Sequence, residues 1–222
     1  MTPPSTRTSR TRLRRVPANG RYDRESVHRV LDRGLVAHVG FASDGQVYCI
    51  PTLYTRVGDR VLIHGSTASR MVRVLAAGAP ACLTVTMIDG LVFARSVFET
   101  GANYDSVMLL GQFRQITGTE DKLAALEAFT ERVLPGRWAE ARQPSRQELK
   151  GTAILELEIT EASVKTESGG PDDDDSPDAE LDIWAGEVPI VSRYGAARPS
   201  PGLRPGIAIS PSVERLLQTP RA

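Results

Sequence analysis

Apolar residues along the chain fall into short runs cut by glycine, proline and Asp-Gly pairs, with helical spacing confined to a few stretches. After Asp23, a plausible N-cap, Val27, Val30 and Leu31 share one helical face, and Gly34 closes the turn. Leu35 to Phe41 is apolar and β-favouring, Ser43-Asp44-Gly45 reads as a tight turn, and Gln46 to Tyr54 resumes a strand. The pattern predicts a hairpin whose second strand contains Pro51, at a bulge or at an edge where a missing N–H costs nothing. Gly58-Asp59 turns the chain again before a third strand, Arg60 to His64, giving an antiparallel meander of the kind found in barrels and sandwiches.

A helix follows Gly65, with Met71, Val72, Val74 and Leu75 on its apolar face, and ends near Gly78 and Pro80. Ala81 to Met87 reads as a strand, Asp89-Gly90 as a hairpin turn, and Leu91 to Phe98 as the returning strand. Residues 99–105 break the apolar pattern, and Val107 to Thr117 resumes it as a long strand with Gly111 as its bulge. Thr119 opens a helix carrying Leu123, Leu126, Phe129 and Val133, which Pro135-Gly136 ends. A short helical piece from Ser145 precedes the last clear strand, Ala153 to Ile159.

With 222 residues, 41% of them hydrophobic, the chain can bury one good core. Residues 1–21 are rich in arginine, proline and threonine and read as a disordered basic tail, 22–166 as the folded domain, and 167–180 as an acidic linker. Residues 181–222 read as an extension packing on the barrel or on a partner subunit, in which Trp184 wants a surface to cover. The 27 basic and 27 acidic residues cancel, so no net field points to nucleic acid or to a membrane. No run approaches the ~20 apolar residues of a membrane span, and a cytoplasmic protein is expected. Cys49 and Cys82 lie in apolar runs and are expected as buried thiols. Three scattered histidines and two cysteines form no metal-ligand spacing.

The candidate chemistry centres on VLIHGSTASRM, residues 61–71. Ser66, Thr67 and Ser69 offer hydroxyls and Arg70 a permanent cation, a combination that suits a phosphate monoester, although serines also cap helices without any ligand. His28 reads as a surface histidine and His38 as a structural strand residue. Thr84 and Thr86 alternate with apolar neighbours as in any half-buried strand.

The runs GLVAHVGF (34–41), IPTLY (50–54), LIHGSTASRM (62–71), LTVTMIDGLVFARSVF (83–98), NYDSV (103–107), PGRW (135–138) and WAGEVPI (184–190) together resemble the FMN-binding split barrels of the pyridoxamine 5'-phosphate oxidase superfamily, in the nitroimidazole-resistance (Nim-like) branch. The resemblance implies a mainly β fold with flanking helices, a six-stranded antiparallel split β-barrel, and a homodimer with FMN at the subunit interface. Carried onto this chain, it places Ser66, Ser69 and Arg70 on the FMN phosphate with His64 and Gly65 beside it. Pro51, Thr52 and Leu53 would line the ring, Thr86 and Ser106 would approach it, and Trp184 would cover the cofactor of the partner subunit.

The chain departs from the branch just before and after Asn103 and Tyr104. Glu99 and Thr100 stand where relatives carry histidines, and Asp105 stands where they carry arginine. Glu99, Asn103 and Asp105 are therefore expected at a substrate mouth of reversed charge, which would disfavour anionic substrates. Glu99 is the candidate base and Tyr104 the candidate proton donor. The resemblance implies an FMN-dependent oxidoreductase acting on a small nitro, quinone-like or biosynthetic substrate, with NAD(P)H as a transient reductant. The alternative is a non-catalytic binding protein on the same scaffold, holding FMN, F420 or haem.

Overall fold

The computed structural model describes residues 5–218. Helix α1 (Arg24–Arg33) begins where the Asp23 carboxylate accepts the Ser26 N–H at 2.8 Å, and it buries Val27, Val30 and Leu31. β2 (Val36–Ser43) and β3 (Gln46–Val57) pair in unbroken register from Val36↔Leu53 to Ser43↔Gln46. The two residues of their turn, Asp44 and Gly45, both have positive φ, the conformation whose twist matches the flanking strands. β4 (Arg60–Ser66) pairs only with the far half of β3, Tyr54 to Val57, so β3 is an edge at the level of Pro51, whose missing N–H leaves no gap there.

Helix α2 (Arg70–Ala76) presses Met71 and Leu75 into the core and is followed by the long β5 (Pro80–Phe93). β6 (Gly101–Gln112) and β7 (Arg114–Ile116) are separated only by the buried Phe113. Then come α3 (Thr119–Val133), α4 (Arg137–Glu140), α5 (Arg146–Gly151), β8 (Thr152–Glu158) and β9 (Ala162–Glu167). The short β1 (Gly20–Arg21) lies on β9, β10 (Gly186–Pro189) lies on β5, and α6 (Pro211–Gln218) ends the described chain.

The strand order is β1-β9-β6-β5-β2-β3-β4-β8-β7, with β10 off this path. The ladder does not close on itself. Instead the chain links its two halves, leaving β6 in one and entering β7 in the other through Phe113, which gives an antiparallel split barrel flanked by helices. Alternate residues of each strand fill the interior, among them Val39, Tyr54, Ile63, Leu83, Val107, Leu109, Leu155 and Val164. On the outside, α3 lays Ala125 and Phe129 over Leu62 and Ile154 as a second, smaller core.

Several expectations change. Asp89-Gly90 is not a turn: β5 runs through it to Phe93, and a register shift between Ile88 and Gly90 absorbs the extra residue. Pairing on both edges, with β6 at Ala102 and Asn103 and with β10 at Val188 and Pro189, overrides the local turn preference. The returning strand accordingly starts at Gly101, and the turn lies in 94–100. Gly111 stays in register opposite Ala81, and the break falls at Phe113.

The basic N-terminal segment is tied down over its described part, residues 1–4 lying outside the described residues. Thr6 is buried and donates to the carbonyls of Tyr22 (2.8 Å) and Ala162 (3.1 Å), while Arg10 pairs with Glu161. The acidic stretch is anchored as well: Asp173 is buried and accepts from both the backbone N–H (2.5 Å) and the guanidinium (2.8 Å) of Arg95. Cys49 is exposed and Cys82 half-buried, on either side of Gly40 on the outer face. Among the described residues no helix is long and apolar enough to cross a membrane.

Candidate functional site

The β4–α2 turn carries the proposed phosphate residues. Ser69 is the N-cap of α2 by position but makes no capping bond with its side chain, and its N–H instead donates to the Ser66 carbonyl at 2.9 Å. Ser66 Oγ accepts from Ala68 N–H at 3.2 Å and is exposed. The Arg70 guanidinium lies 4.8 Å from the Tyr48 ring centroid, so a cation–π contact holds it at the turn. Among the described residues no carboxylate pairs with it. Gly65 approaches Val72 closely: a Cβ there would sit 3.0 Å from Val72 Cγ2, so the backbone before the hydroxyls runs against α2. The turn therefore presents two hydroxyls and one cation to solvent with their anion-binding capacity uncommitted.

His64, one residue before this turn, is half-buried and meets the Phe129 ring edge-on at 4.6 Å. Its Nδ1 is buried with no hydrogen-bond partner, and burial pushes its pKa down, favouring the neutral imidazole. His38 is exposed on β2 in a row running Pro51–His38–Thr84–Met108. His28 differs: its ring pairs with Asp59 at 2.9 Å, and that aspartate also takes Arg24 at 2.6 Å.

The outer face of β2, β3, β5 and β6 is apolar for a solvent-facing surface, with Val36, Val47, Leu53 and Ile88 all exposed. Leu53 and Pro51 project here beside Thr52, which lies opposite Ala37. Thr86 and Ser106 stand opposite each other on β5 and β6, their hydroxyl oxygens 3.0 Å apart. A cavity of about 410 Å³ opens on this face, lined by Val36, His38, Thr86 and Ile88 and walled by Ile190 and Val191 of the segment after β10. That wall belongs to the C-terminal extension, at and just beyond the end of the WAGEVPI run.

The residues around the departure separate onto two faces. Tyr104, like Ser106, points outward, and Lys165 Nζ sits 5.4 Å from its ring centroid. Asp105 points the other way, toward α1, with its side chain only 4% exposed. Its Oδ1 accepts from Thr166 at 2.6 Å, and its Oδ2 accepts from Arg29 at 2.7 Å and Arg33 at 2.5 Å. Burial alone would raise the Asp105 pKa, but Thr166 and the two arginines outweigh it and hold the carboxyl below its ordinary value. The carboxylate expected at the mouth is thus neutralised beneath the sheet, because alternation along β6 sends it inward. Asn103 is also buried and donates to the Gly169 carbonyl at 3.0 Å. Glu99 is exposed in the 94–100 loop and shares a cavity of about 320 Å³ with Asn103, Tyr104 and Glu167.

Trp184 is 66% exposed, with its ring 6.2 Å from that of Phe93. It continues the exposed apolar surface at the β5–β10 edge. Lys165, which sequence reasoning missed, has no motif around it and is found only through the β6–β9 register opposite Ser106.

Residues 23–166 match the family model described as pyridoxamine 5'-phosphate oxidase. No curated protein sequence is similar to the chain at a significant level. Among solved structures, the flavocytochrome Anf3 of Azotobacter vinelandii is 36% identical, with 94% of this chain and 97% of that one covered at a TM-score of 0.89. The FAD and haem binding protein of Mycobacterium smegmatis is 40% identical, with 89% and 97% covered at a TM-score of 0.85. A protein of Bacteroides thetaiotaomicron named for 5-nitroimidazole antibiotic resistance shares the fold at 15% identity, covering 66% of this chain and 85% of its own at a TM-score of 0.56. The chain belongs to the flavin-binding, pyridoxamine 5'-phosphate oxidase-like split-barrel family.

Proposed function

We propose that this protein is a flavin- and haem-binding redox protein acting as a homodimer, with FAD in the place where the sequence resemblance implied FMN. The observation that carries the reading is the likeness over nearly the whole chain, extension included, to a flavocytochrome and to an FAD and haem binding protein. The residues present fit the flavin. Ser66, Ser69 and Arg70 would hold a phosphate, and Pro51, Leu53, Thr86 and Ser106 border an apolar face suited to an aromatic ring, which Thr52, turned to the other side opposite Ala37, would approach only through its backbone. That face is also what a second copy would cover, with Trp184 and the segment after β10 at its margin.

The residues also fit a haem. His38 and His64 are the histidines that would be available to hold its iron, His28 being ion-paired. The orphaned Nδ1 and lowered pKa of His64 suit a group that a ligand completes. When bound, flavin exchanges electrons in pairs or singly and haem singly, so the two together would connect a two-electron donor to a one-electron acceptor. The chain's own part is to place the two groups, exclude water from the apolar face and balance their charge. Glu99 and Tyr104 remain the proton-handling candidates, Tyr104 from the outer face and Glu99 from the loop beside it.

The test is the visible spectrum of protein expressed with iron and flavin supplied, before and after anaerobic addition of NADPH and then dithionite. Flavin and Soret bands that both respond to reduction support the reading. A flavin band alone supports the simpler FMN- or FAD-dependent oxidoreductase, and a colourless protein that takes up neither group overturns both.

A further inference from the structure

One row on the outer face joins residues from three strands. Thr86 of β5 is opposite Ser106 of β6, and Ser106 is opposite Lys165 of β9. Beyond Lys165 stands Gly20 of β1, which has no side chain to cover it. Strands lie about 4.8 Å apart, so Ser106 sits within easy reach of the lysine's flexible stem. Thr86 and Ser106 share one hydrogen bond at 3.0 Å, which uses one of their two protons and leaves the other hydroxyl free to donate outward.

The Lys165 ammonium makes no ion pair and no hydrogen bond among the described residues; it lies 5.4 Å from the Tyr104 ring centroid, a cation–π approach. Glu167, on the same face of β9, accepts from Asn19 Nδ2 at 2.7 Å instead. The row is therefore rich in donors, and the carboxylate beside it on β9 is already engaged by Asn19.

We infer that Thr86, Ser106 and Lys165 form an anion-binding row that takes an anionic oxygen of a bound cofactor, either a phosphate of FAD or a carboxylate of haem. The inference rests on the proposed function and adds to it a second charged anchor, apart from the Arg70 turn. A surface lysine with no such task would be expected to reach into water; here the Tyr104 ring holds the cation beside the sheet. An anion docking there meets an ammonium and a hydroxyl proton together.

The test compares cofactor-free wild-type protein with Lys165→Met and Lys165→Arg, each titrated separately with FAD and with haemin, with thermal unfolding as a check on folding. Lys165→Met keeps the stem and removes the charge. The expected result is that one dissociation constant rises about tenfold or more in Lys165→Met, that Lys165→Arg restores most of it, and that the other constant stays within about twofold. A loss with FAD assigns the phosphate, and a loss with haemin assigns the carboxylate. If wild type binds both groups and Lys165→Met binds both equally well, the inference is overturned and the functional reading stands. If wild type binds neither, both fall together.

Discussion

Asp105 and Arg33 are locked together beneath the sheet, the carboxylate accepting from the guanidinium at 2.5 Å while the same arginine reaches Asp89 at 2.7 Å. Arg29 and Thr166 complete the set, so one buried carboxylate fastens α1 to β6 and β9. Asp105→Asn should therefore destabilise the protein by about 1–3 kcal/mol, the arginines' partial exposure reducing the full cost of breaking a buried pair. Because the folded-state pKa lies below its ordinary value, this stability is present above about pH 4 and is lost as pH falls through the folded value. Urea unfolding at neutral and acid pH checks both parts. An unchanged midpoint at neutral pH would remove the structural role.

Gly34 lies where α1 hands over to β2, and only a bare backbone fits. A Cβ there would stand 2.3 Å from Val85 Cγ1 and 2.7 Å from the Tyr54 hydroxyl. Gly34→Ala should cost about 1–3 kcal/mol through overpacking, and adding Val85→Ala should recover part of that despite deleting buried methyl groups. The coupling in a double-mutant cycle of thermal unfolding is the readout; strictly additive losses would argue against the clash.

His64 should make the folded state acid-sensitive. Its pKa is lowered by burial, so as pH falls below about 6.5 the unfolded chain takes up the proton first and stability declines until the folded imidazole is protonated too. In cofactor-free protein, His64→Gln should flatten the decline in urea midpoint between about pH 7 and about pH 5. Identical slopes for the two proteins would show that His64 is not the responsible group.

Arg70 is the permanent cation of the β4–α2 turn, held on Tyr48 and free of carboxylates among the described residues. Arg70→Ala should weaken FAD binding by about 10- to 100-fold, the size of a charge-assisted hydrogen bond to phosphate, with Arg70→Lys between the two. Loss of the cation–π contact should cost about 0.5–1 kcal/mol in stability. Fluorescence titration with FAD measures the first effect, and undiminished affinity would move the phosphate elsewhere.

Much of the fold was legible because periodicity and turn chemistry agreed. Asp23 caps α1, and Asp44-Gly45 makes the first hairpin. Asp89-Gly90 misled because a local turn preference says nothing about strands arriving on both edges from residues 101–103 and 186–189. The N-terminal segment misled for a related reason. Its composition is poor in apolar residues, but Thr6 buries through hydrogen bonds to backbone carbonyls and needs few.

The site divided in the same way. The hydroxyl and arginine cluster at 66–70 was visible as a contiguous run, whereas Asp105 could be placed only once its face was known. Lys165 joins the site through a β6–β9 register spanning some sixty residues of sequence, and no reading of neighbours along the chain reaches it.

The account turns on whether one chain carries both a flavin and a haem. Its most direct test is quantification of the groups released from freshly purified protein, FAD and FMN by chromatography and mass, and haem by its pyridine complex. The account predicts FAD and haem together, each near one per chain, in a protein that sediments as a dimer. Protein that sediments as a folded monomer and releases neither group after expression with both supplied would contradict it.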